Sequence, residues 1–227
     1  MLANRKFPNF SYERIYWRKG YSVIGIDEVG RGAFAGPVGV GGVVFPNTLN
    51  LKEKDYLLSL GINDSKKLSP KKRNELYEIL KQLCVYKVLF IDVSTINEIG
   101  IGKATFLGMR EVAMSLISSV NGSRNEFGMT KGEMYLLVDG FEIPDMKVGQ
   151  KGIVRGDSLS ISIAAASIIA KVERDRLMCE LAKEYPLYGF EKHKGYGTLI
   201  HRNSISLLGT TKHHRLDFCK NTKTFQV

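Results

Sequence analysis

The chain has 227 residues, of which 44% are hydrophobic and 25% are charged. This composition is typical of a globular protein with one large domain or two small ones. No run reaches the ~20 apolar residues that a membrane-spanning helix needs, and the N-terminal residues lack the apolar core of a signal peptide. We therefore expect neither a membrane protein nor an exported one.

The 33 lysines and arginines outnumber the 23 aspartates and glutamates, which gives a net charge of +10. A positive excess of this size indicates a polyanionic partner, most often nucleic acid, although a protein can also simply be basic. Three widely separated cysteines without metal-ligand spacing argue against a disulfide framework or a zinc site. This cysteine usage is typical of a reducing compartment, so we expect a cytoplasmic protein.

Strands and helices alternate along the predicted fold. In chain order, the pattern predicts a strand at residues 23–27, a strand at 38–45, a polar connection at 47–61 with room for a short helix, a helix from Ser69 and Pro70, a strand at 85–93, a helix at 101–120, strands at 134–138 and 152–155, and a long helix at about 158–185. Ser69 is the predicted N-cap of its helix, with Pro70 in the first turn. This order predicts an α/β fold built around one sheet.

The part of the chain after Pro186 has a weaker pattern of glycine-rich loops and short helices. It predicts a C-terminal lobe that lies on the sheet and is not a separate domain. We therefore expect residues 1–227 to form a single catalytic domain, with a core at about 20–185 and a substrate-binding lobe at about 186–220.

Four acidic residues occupy similar positions relative to the predicted elements. Asp27 and Glu28 follow the first strand, Asp139 follows the strand at 134–138, and Asp157 begins the long helix. Sites in open α/β sheets gather beyond the carboxyl ends of strands, so these acids are predicted to converge. Adjacent strand residues point to opposite faces, so a site that uses both Asp27 and Glu28 requires the strand to end or bulge there.

Clustered carboxylates predict a site for divalent cations. Three or four carboxylates without counter-ions would repel one another at a cost of several kcal/mol, and Mg²⁺ or Mn²⁺ would remove that cost. Two such cations make a phosphoryl-transfer site. Each acid also has a purely structural explanation, since Asp139 can belong to a turn and Asp157 can cap a helix. The chain has neither a G-x-x-x-x-G-K-[ST] loop nor a G-x-S-x-G elbow.

Several motifs resemble those of one known family. They are residues 25–32 (GIDEVGRG), 36–38 (GPV), 63–69 (NDSKKLS), 137–140 (LVDG), 156–157 (GD), 163–176 (IAAASIIAKVERDR) and 193–198 (HKGYGT). In this order they resemble the type 2 ribonucleases H, and specifically the ribonuclease HII family. The resemblance implies an RNase H-like fold, with a mixed central sheet of about five strands flanked by helices and a helical C-terminal lobe.

The resemblance also implies an activity and a set of site residues. It implies an endonuclease that hydrolyses the phosphodiester 5′ to a ribonucleotide, in RNA–DNA hybrids or in duplex DNA with embedded ribonucleotides, and leaves 3′-hydroxyl and 5′-phosphate ends. We also expect a monomer, because nothing in the sequence indicates obligate assembly. The implied cofactor is Mn²⁺ or Mg²⁺, in a two-metal-ion mechanism. The implied catalytic and metal-binding residues are Asp27, Glu28, Asp139 and Asp157, and the implied substrate-binding residues are Gly30, Arg31, Gly32, Lys66, Tyr196 and Lys194.

Two alternatives stay open at the level of sequence. The first is another metal-dependent nuclease or strand transferase on the same fold, because a fold does not determine a function. The second is a non-catalytic nucleic-acid-binding protein. Clustered negative charge argues against the second, since it would repel the phosphates that such a protein binds.

Overall fold

The structure, a computed structural model, describes residues 7–122 and 133–220. Five strands form one mixed sheet in the order β3-β2-β1-β4-β5. The strands are β1 (Ser22–Val29), β2 (Val38–Val44), β3 (Val85–Ile91), β4 (Met134–Asp139) and β5 (Gly149–Ile153). The central strand β1 pairs with β2 in the antiparallel sense and with β4 in parallel.

Helices cover both faces of this sheet. They are α1 (Ser11–Trp17), α2 (Leu51–Ser59), α3 (Pro70–Leu80), α4 (Val93–Ile99), α5 (Ile101–Asn121), α6 (Ile161–Glu184), α7 (Phe190–His193), α8 (Leu199–Leu208) and α9 (Leu216–Cys219). A core that includes Ile24 and Ile26 of β1 packs against α5, and a second core lies between the sheet and α6. Within the two described ranges, every helix is too short or too polar to cross a bilayer.

The close approach of α6 to β1 depends on glycines in the sheet. A Cβ atom on Gly25 would lie 2.3 Å from the backbone of Ser162, and one on Gly41 would lie 2.6 Å from the carbonyl oxygen of Ala166. Neither distance is possible for a real side chain, so α6 can rest directly on the strands because both positions are glycine. This contact brings α6 to the strand that carries Asp27 and Glu28.

The predicted mixed sheet with flanking helices is confirmed. The polar connection at 47–61 contains the short helix α2, whose N-terminus is a capping box between Asn50 and Glu53. Two boundaries differ. β5 ends at Ile153, because Arg155 adopts a left-handed backbone conformation with a φ of 57°. The long helix begins at Ile161 instead of about 158, because Ser160 is its N-cap and Gly156–Ser158 forms a 3₁₀ turn.

The predicted end or bulge of the first strand at its acids is wrong. β1 continues through both acids to Val29 in regular register with β2, so it neither ends nor bulges at Asp27. The reason is that β2 offers pairing partners as far as Gly39. The short helices α7, α8 and α9 confirm a helical C-terminal region. The division of residues 1–227 into a core and a lobe stays a prediction.

The N-terminal helix α1 is joined to α6 by a buried glutamate. Glu13 is 0% exposed, and its Oε1 accepts hydrogen bonds from the Ser160 hydroxyl at 2.6 Å and the Ser162 amide at 3.0 Å. A negative group at a helix N-terminus is favourable, although burial raises the pKa of Glu13. These contacts hold the N-terminus of α6 immediately after the turn that carries Asp157.

We expect Glu13→Ala to lower the free energy of unfolding by about 2–3 kcal/mol, because it leaves two buried donors without an acceptor. Glu13→Gln keeps an acceptor oxygen at the same place and should cost less than half as much. Urea denaturation of the two variants beside the unmodified protein measures both values. Equal losses for Ala and Gln would show that the carboxylate charge, and not the acceptor geometry, matters here.

Candidate active site

Three of the predicted acids meet at the carboxyl end of β4. Ligand oxygens of Asp27, Glu28 and Asp139 all lie within 4.8 Å of one another. Val138 pairs with Ile26, so Asp139 ends β4 beside Asp27 on the neighbouring strand. The side chains of Asp27 and Glu28 point to opposite faces of β1, but β1 does not pair with β4 beyond Ile26. Both side chains can therefore reach the same open edge.

The environment of these carboxyl groups opposes their ionisation. Burial, and then the charges of Glu28 and Asp139, raise the pKa of Asp27 well above its ordinary value. Burial, and then Asp139, raise the pKa of Glu28. Burial raises the pKa of Asp139 as well, against the opposing effect of a 2.6 Å hydrogen bond from the Gly156 amide to its Oδ1. The group carries more negative charge than its surroundings neutralise.

Asp157 lies next to this group but outside the three mutually close acids. It occupies the 3₁₀ turn before α6, and it does not cap that helix. Its charge acts on both Asp27 and Asp139, and its carboxyl group is hydrogen-bonded to that of Asp64. Burial, Asp64 and Asp139 raise the pKa of Asp157 to about 6. Its role as a metal ligand stays a prediction.

The donor chemistry fits a divalent cation such as Mg²⁺ or Mn²⁺. All three close ligands are carboxylates, which are the hard oxygen donors that these cations prefer. A cation among them would neutralise the charges that now raise the pKa values of Asp27 and Glu28. The group contains no histidine or cysteine, which a zinc site would favour.

The Gly30-Arg31-Gly32 segment and Tyr196 lie beside these acids. They share a cavity of about 390 Å³, lined by Glu28, Val29, Gly30, Arg31, Gly32, Ser65, Lys66, Ser167, Lys171 and Tyr196. An antiparallel bridge between Ala33 and Tyr196 joins the two segments. The Tyr196 ring also faces Lys171 and Arg174, at 5.6 and 5.7 Å from its centroid. The structure therefore brings five of the six predicted substrate-binding residues to one cavity.

Lys66 and Lys194 are placed differently with respect to the acids. Burial lowers the pKa of Lys66, but the charges of Asp27, Asp64 and Asp157 outweigh it and raise that pKa overall. Lys66 is thus a cation that faces the acids. Lys194 lines an adjoining groove that also contains Tyr196, and its ammonium group contacts the carbonyl of Glu191. It lies at the side of the site rather than within the cavity.

Sequence reasoning did not identify several residues that support the site. Ser167 donates a hydrogen bond to Asp27 and is also hydrogen-bonded to Ser65, at 2.9 Å between the hydroxyl oxygens. Asp64 acts on Asp157, and its Oδ1 accepts from the Lys66 amide. These residues lie within motifs of the resemblance, 63–69 and 163–176, but only the folded contacts show that they touch the acids. Periodicity or spacing alone gives no signal for them.

We expect Asp157→Asn to stabilise the metal-free protein in a pH-dependent manner. The folded-state pKa of about 6 lies above the ordinary value of 3.8, so the folded protein binds more protons in this range and loses stability as the pH rises. Asparagine cannot ionise, so the melting temperature of the variant relative to the unmodified protein should be unchanged at pH 4 and increase through pH 6. Thermal melts in EDTA measure this. The exposed Asp145→Asn is the control, and a constant difference across the pH range would contradict the expectation.

Comparison with known proteins agrees with this geometry. The ribonuclease HII family model matches residues 24–221, which include all of the sheet except the first two residues of β1, and every predicted site residue. The ribonuclease HII of Caldicellulosiruptor saccharolyticus is 42% identical over 216 residues, which cover 93% of this chain and 94% of that protein.

Solved structures show the same fold. The ribonuclease HII of Archaeoglobus fulgidus, solved in complex with PCNA, matches with a TM-score of 0.66 and 27% identity over 86% of this chain and 94% of its own. Bst-RNase HIII, solved in complex with Mn²⁺, matches with a TM-score of 0.68 and 19% identity over 89% of this chain and 69% of its own, which shows a shared fold. The predicted RNase H-like fold is therefore confirmed. With a family match that spans the whole site and a curated relative that covers nearly the whole chain, this protein belongs to the ribonuclease HII family.

Proposed function

We propose that this chain hydrolyses the phosphodiester 5′ to a ribonucleotide, in RNA–DNA hybrids or in duplex DNA with embedded ribonucleotides, and leaves 3′-hydroxyl and 5′-phosphate ends. Membership of the ribonuclease HII family carries the reaction class, which is metal-dependent ribonuclease H hydrolysis. One observation supports the finer proposal. The cavity that contains Gly30-Arg31-Gly32 and Tyr196 also contains Glu28 of the acid group, so a sugar read there would have its phosphate beside the acids.

The acids would hold the divalent cations against the scissile phosphate. Asp27, Glu28 and Asp139 have the proximity for this role, and Asp157 lies beside them. When bound, the cations, which we propose to be Mg²⁺ or Mn²⁺, supply activation of a water molecule and charge stabilisation at the leaving oxygen. The residues themselves fix the positions of the negative charges, because Asp27 is held by Ser167 and Asp139 by the Gly156 amide.

The sugar would be recognised by backbone groups and by an aromatic ring. The 2′-hydroxyl distinguishes RNA from DNA, and glycine lets the backbone approach it closely. A Cβ atom on Gly32 would have no heavy atom within 4 Å, so this glycine borders open space in the cavity. Tyr196 would stack on the following deoxyribose, where an additional hydroxyl would be disfavoured. We propose that these two contacts together select the junction between RNA and DNA.

The phosphate backbone would be held by lysines around the cavity. Lys66 faces the acids, and Lys194 lines the adjoining groove together with Lys171, Arg176 and Lys192. Each phosphate contact releases counter-ions, so binding should weaken as salt increases. The buried acids oppose the alternative of a non-catalytic binding protein, because burial of Asp27 costs stability and phosphate would be repelled. A monomeric state and a cytoplasmic location remain proposals from the sequence.

A cleavage assay with three matched duplexes tests the proposal. The duplexes contain one embedded ribonucleotide, a full RNA strand, or DNA alone, and each is incubated with Mg²⁺, with Mn²⁺ or with EDTA. We expect metal-dependent cleavage of the first two, with product ends that carry 3′-hydroxyl and 5′-phosphate groups. Cleavage of the all-DNA duplex would favour a general nuclease. Binding without metal-dependent cleavage would favour the non-catalytic alternative.

A further inference from the structure

Three histidines of the C-terminal region form a buried cluster behind Tyr196. His201 and His214 are 0% and 1% exposed, and His193 is 9% exposed. The His193 and His201 rings stack with their centroids 4.4 Å apart, and Tyr188 and Phe190 pack around them. Imidazoles buried this deeply need a complete set of hydrogen-bond partners, so their partners indicate which nitrogens carry protons.

His201 and His214 form a hydrogen-bond chain, and its hydrogen bonds determine one tautomer for each of the two rings. The Thr211 amide donates to Nδ1 of His214 at 2.9 Å, so the proton of this ring is on Nε2. That Nε2 lies 3.1 Å from Nε2 of His201, and it donates to it. The proton of His201 is therefore on Nδ1, which lies 3.0 Å from the carbonyl oxygen of Tyr196 and donates to it. In this hydrogen-bond chain every donor points from Thr211 towards Tyr196, and both imidazole rings in it are neutral.

His193 completes the arrangement by the same reasoning. The Gly195 amide donates to Nδ1 of His193 at 3.2 Å, so its Nε2 carries the proton and donates to the carbonyl of Tyr188 at 2.8 Å. Two histidines thus bind backbone groups of adjacent residues, the Gly195 amide and the Tyr196 carbonyl. The Tyr196 carbonyl also accepts from the Thr198 amide at 2.8 Å, and the Tyr196 amide donates to the His193 carbonyl at 3.0 Å, so imidazoles and main-chain groups together hold the backbone around the Tyr196 ring.

The same cluster connects Tyr196 to the glycine segment that shares its cavity. The amides of Phe34 and Ala35, which follow Gly30-Arg31-Gly32, donate to the carbonyl of Gly195 at 2.8 and 3.1 Å. On the other side, the Arg215 amide donates to the carbonyl of Phe34 at 2.8 Å, next to His214. The polypeptide at Phe34 and Ala35 is therefore held between Gly195 on one side and Arg215 on the other. The His201–His214 hydrogen bond links these two sides, because His201 donates to Tyr196 and His214 precedes Arg215.

We propose that His201 and His214 are positioning residues for ribonucleotide selection, which fix the Tyr196 ring relative to the Gly30-Arg31-Gly32 segment through this directed hydrogen-bond chain. The proposal rests on the proposed function, because it assigns to these histidines the distance between Tyr196 and the glycine segment, the two places that would bind successive sugars. A second proton on either ring would place two N–H groups against each other and open the chain.

The surroundings keep the rings neutral. Burial lowers the pKa of His201 and of His214 to about 4, and the mutual effect of the histidines acts in the same direction. Lys194 and Glu191 act on the pKa of His193, and Lys212 and Glu184 act on the pKa of the neighbouring His213, which in turn lowers the pKa of His214. The chain should therefore be intact at neutral pH.

Two experiments test the proposal. The first is long-range ¹H–¹⁵N NMR of the histidine side chains of the unmodified protein at pH 7. We expect neutral rings with the proton on Nδ1 of His201 and on Nε2 of His193 and His214. A charged imidazolium or the reversed tautomer at His201 would overturn the proposal, whether or not the protein cleaves nucleic acid.

The second experiment compares variants in the cleavage assay. His201→Phe keeps the ring packing but removes both hydrogen bonds, and His201→Asn keeps a donor near the Tyr196 carbonyl. We expect the ratio of kcat/KM for a single embedded ribonucleotide to that for a full RNA strand to fall about 10- to 100-fold in His201→Phe, because small displacements at a site have effects of this size. The ratio should fall less in His201→Asn, which keeps the donor to the Tyr196 carbonyl but loses the bond to His214, than in His201→Phe, and His213→Asn, outside the hydrogen-bond chain, should not change the ratio.

The outcomes separate the two proposals. If the unmodified protein does not cleave, the proposed function fails while the NMR result still decides the hydrogen-bond chain. If it cleaves and His201→Phe retains the unmodified ratio, the positioning role is wrong. If His201→Phe does not fold, His201→Asn and His214→Asn are each compared with the unmodified protein instead; both lose the His201–His214 hydrogen bond, so we expect the ratio to fall in both. An unchanged ratio in these two variants would overturn the proposal.

Discussion

Asp27→Asn is expected to slow cleavage strongly and, in metal-free buffer, to raise the melting temperature. Asp27 is 5% exposed and lies beside Glu28 and Asp139, so its carboxylate is destabilised by burial and repulsion, which a bound cation would offset. Loss of one charged ligand should lower kcat by on the order of 10³-fold, the scale of charge-stabilising groups in other enzymes. Without metal, the neutral amide removes repulsion and should stabilise the fold by about 1 kcal/mol or more, which corresponds to roughly 2–4 °C at this chain length.

The two halves of this expectation are measured separately. Single-turnover cleavage with Mg²⁺ or Mn²⁺ gives the loss of activity, and calorimetry in EDTA gives the change in melting temperature. The matched control is Asp92→Asn, because Asp92 caps α4 through a 2.7 Å hydrogen bond from the Thr95 amide and asparagine caps equally well. If Asp27→Asn melted at a lower temperature than the unmodified protein in EDTA, Asp27 would be a structural residue and not a ligand held in a destabilised state.

Gly30→Ala and Gly32→Ala should have opposite consequences although they belong to the same motif. Gly30 has a φ of 79°, and a Cβ atom there would lie 2.1 Å from Nε of Arg174. Arg174 is 0% exposed and donates to the carbonyls of Ala35, Pro37 and Lys194. Displacing this buried cation and straining the backbone should lower the free energy of unfolding by about 3 kcal/mol or more.

At Gly32 the methyl group of alanine meets no heavy atom within 4 Å, so stability should stay within about 0.5 kcal/mol of the unmodified value. The methyl group enters the cavity shared by Glu28 and Tyr196, where it would occupy space for the ribose. We therefore expect a folded protein with a loss of kcat/KM of about 10²-fold for the single-ribonucleotide duplex. Urea denaturation and steady-state cleavage of both variants provide the comparison. A Gly32→Ala variant that is fully active would exclude close approach of the sugar at this residue.

Local patterns predicted the parts of this molecule that depend on neighbouring residues. The apolar runs between helices predicted all five strands of the mixed sheet. The Ser69-Pro70 pair predicted the N-terminus of α3, where the Ser69 hydroxyl accepts from the Lys72 amide. The placement of acids after strands also predicted that Asp139 would come near Asp27. These features follow from periodicity, capping and the chain direction of parallel strands.

Other features depend on contacts between distant segments. Glutamate is usually found at the surface, yet packing against α6 buries Glu13 completely. Arg174 lies in a charged run typical of an exposed helix face, yet it is buried with three backbone carbonyls as its acceptors.

By itself, the sequence determined the order of the five strands along the chain and the family, and it placed acids after strands, because these features depend on residue types and spacing; it did not predict the helices α1 and α4. Only the tertiary structure decided that β1 passes through its acids without ending, that Asp157 lies in a turn beside the three close acids, and that a histidine chain reaches Tyr196. The physical reason is that burial and hydrogen-bond partners arise from packing between segments far apart in the chain, which no local pattern encodes.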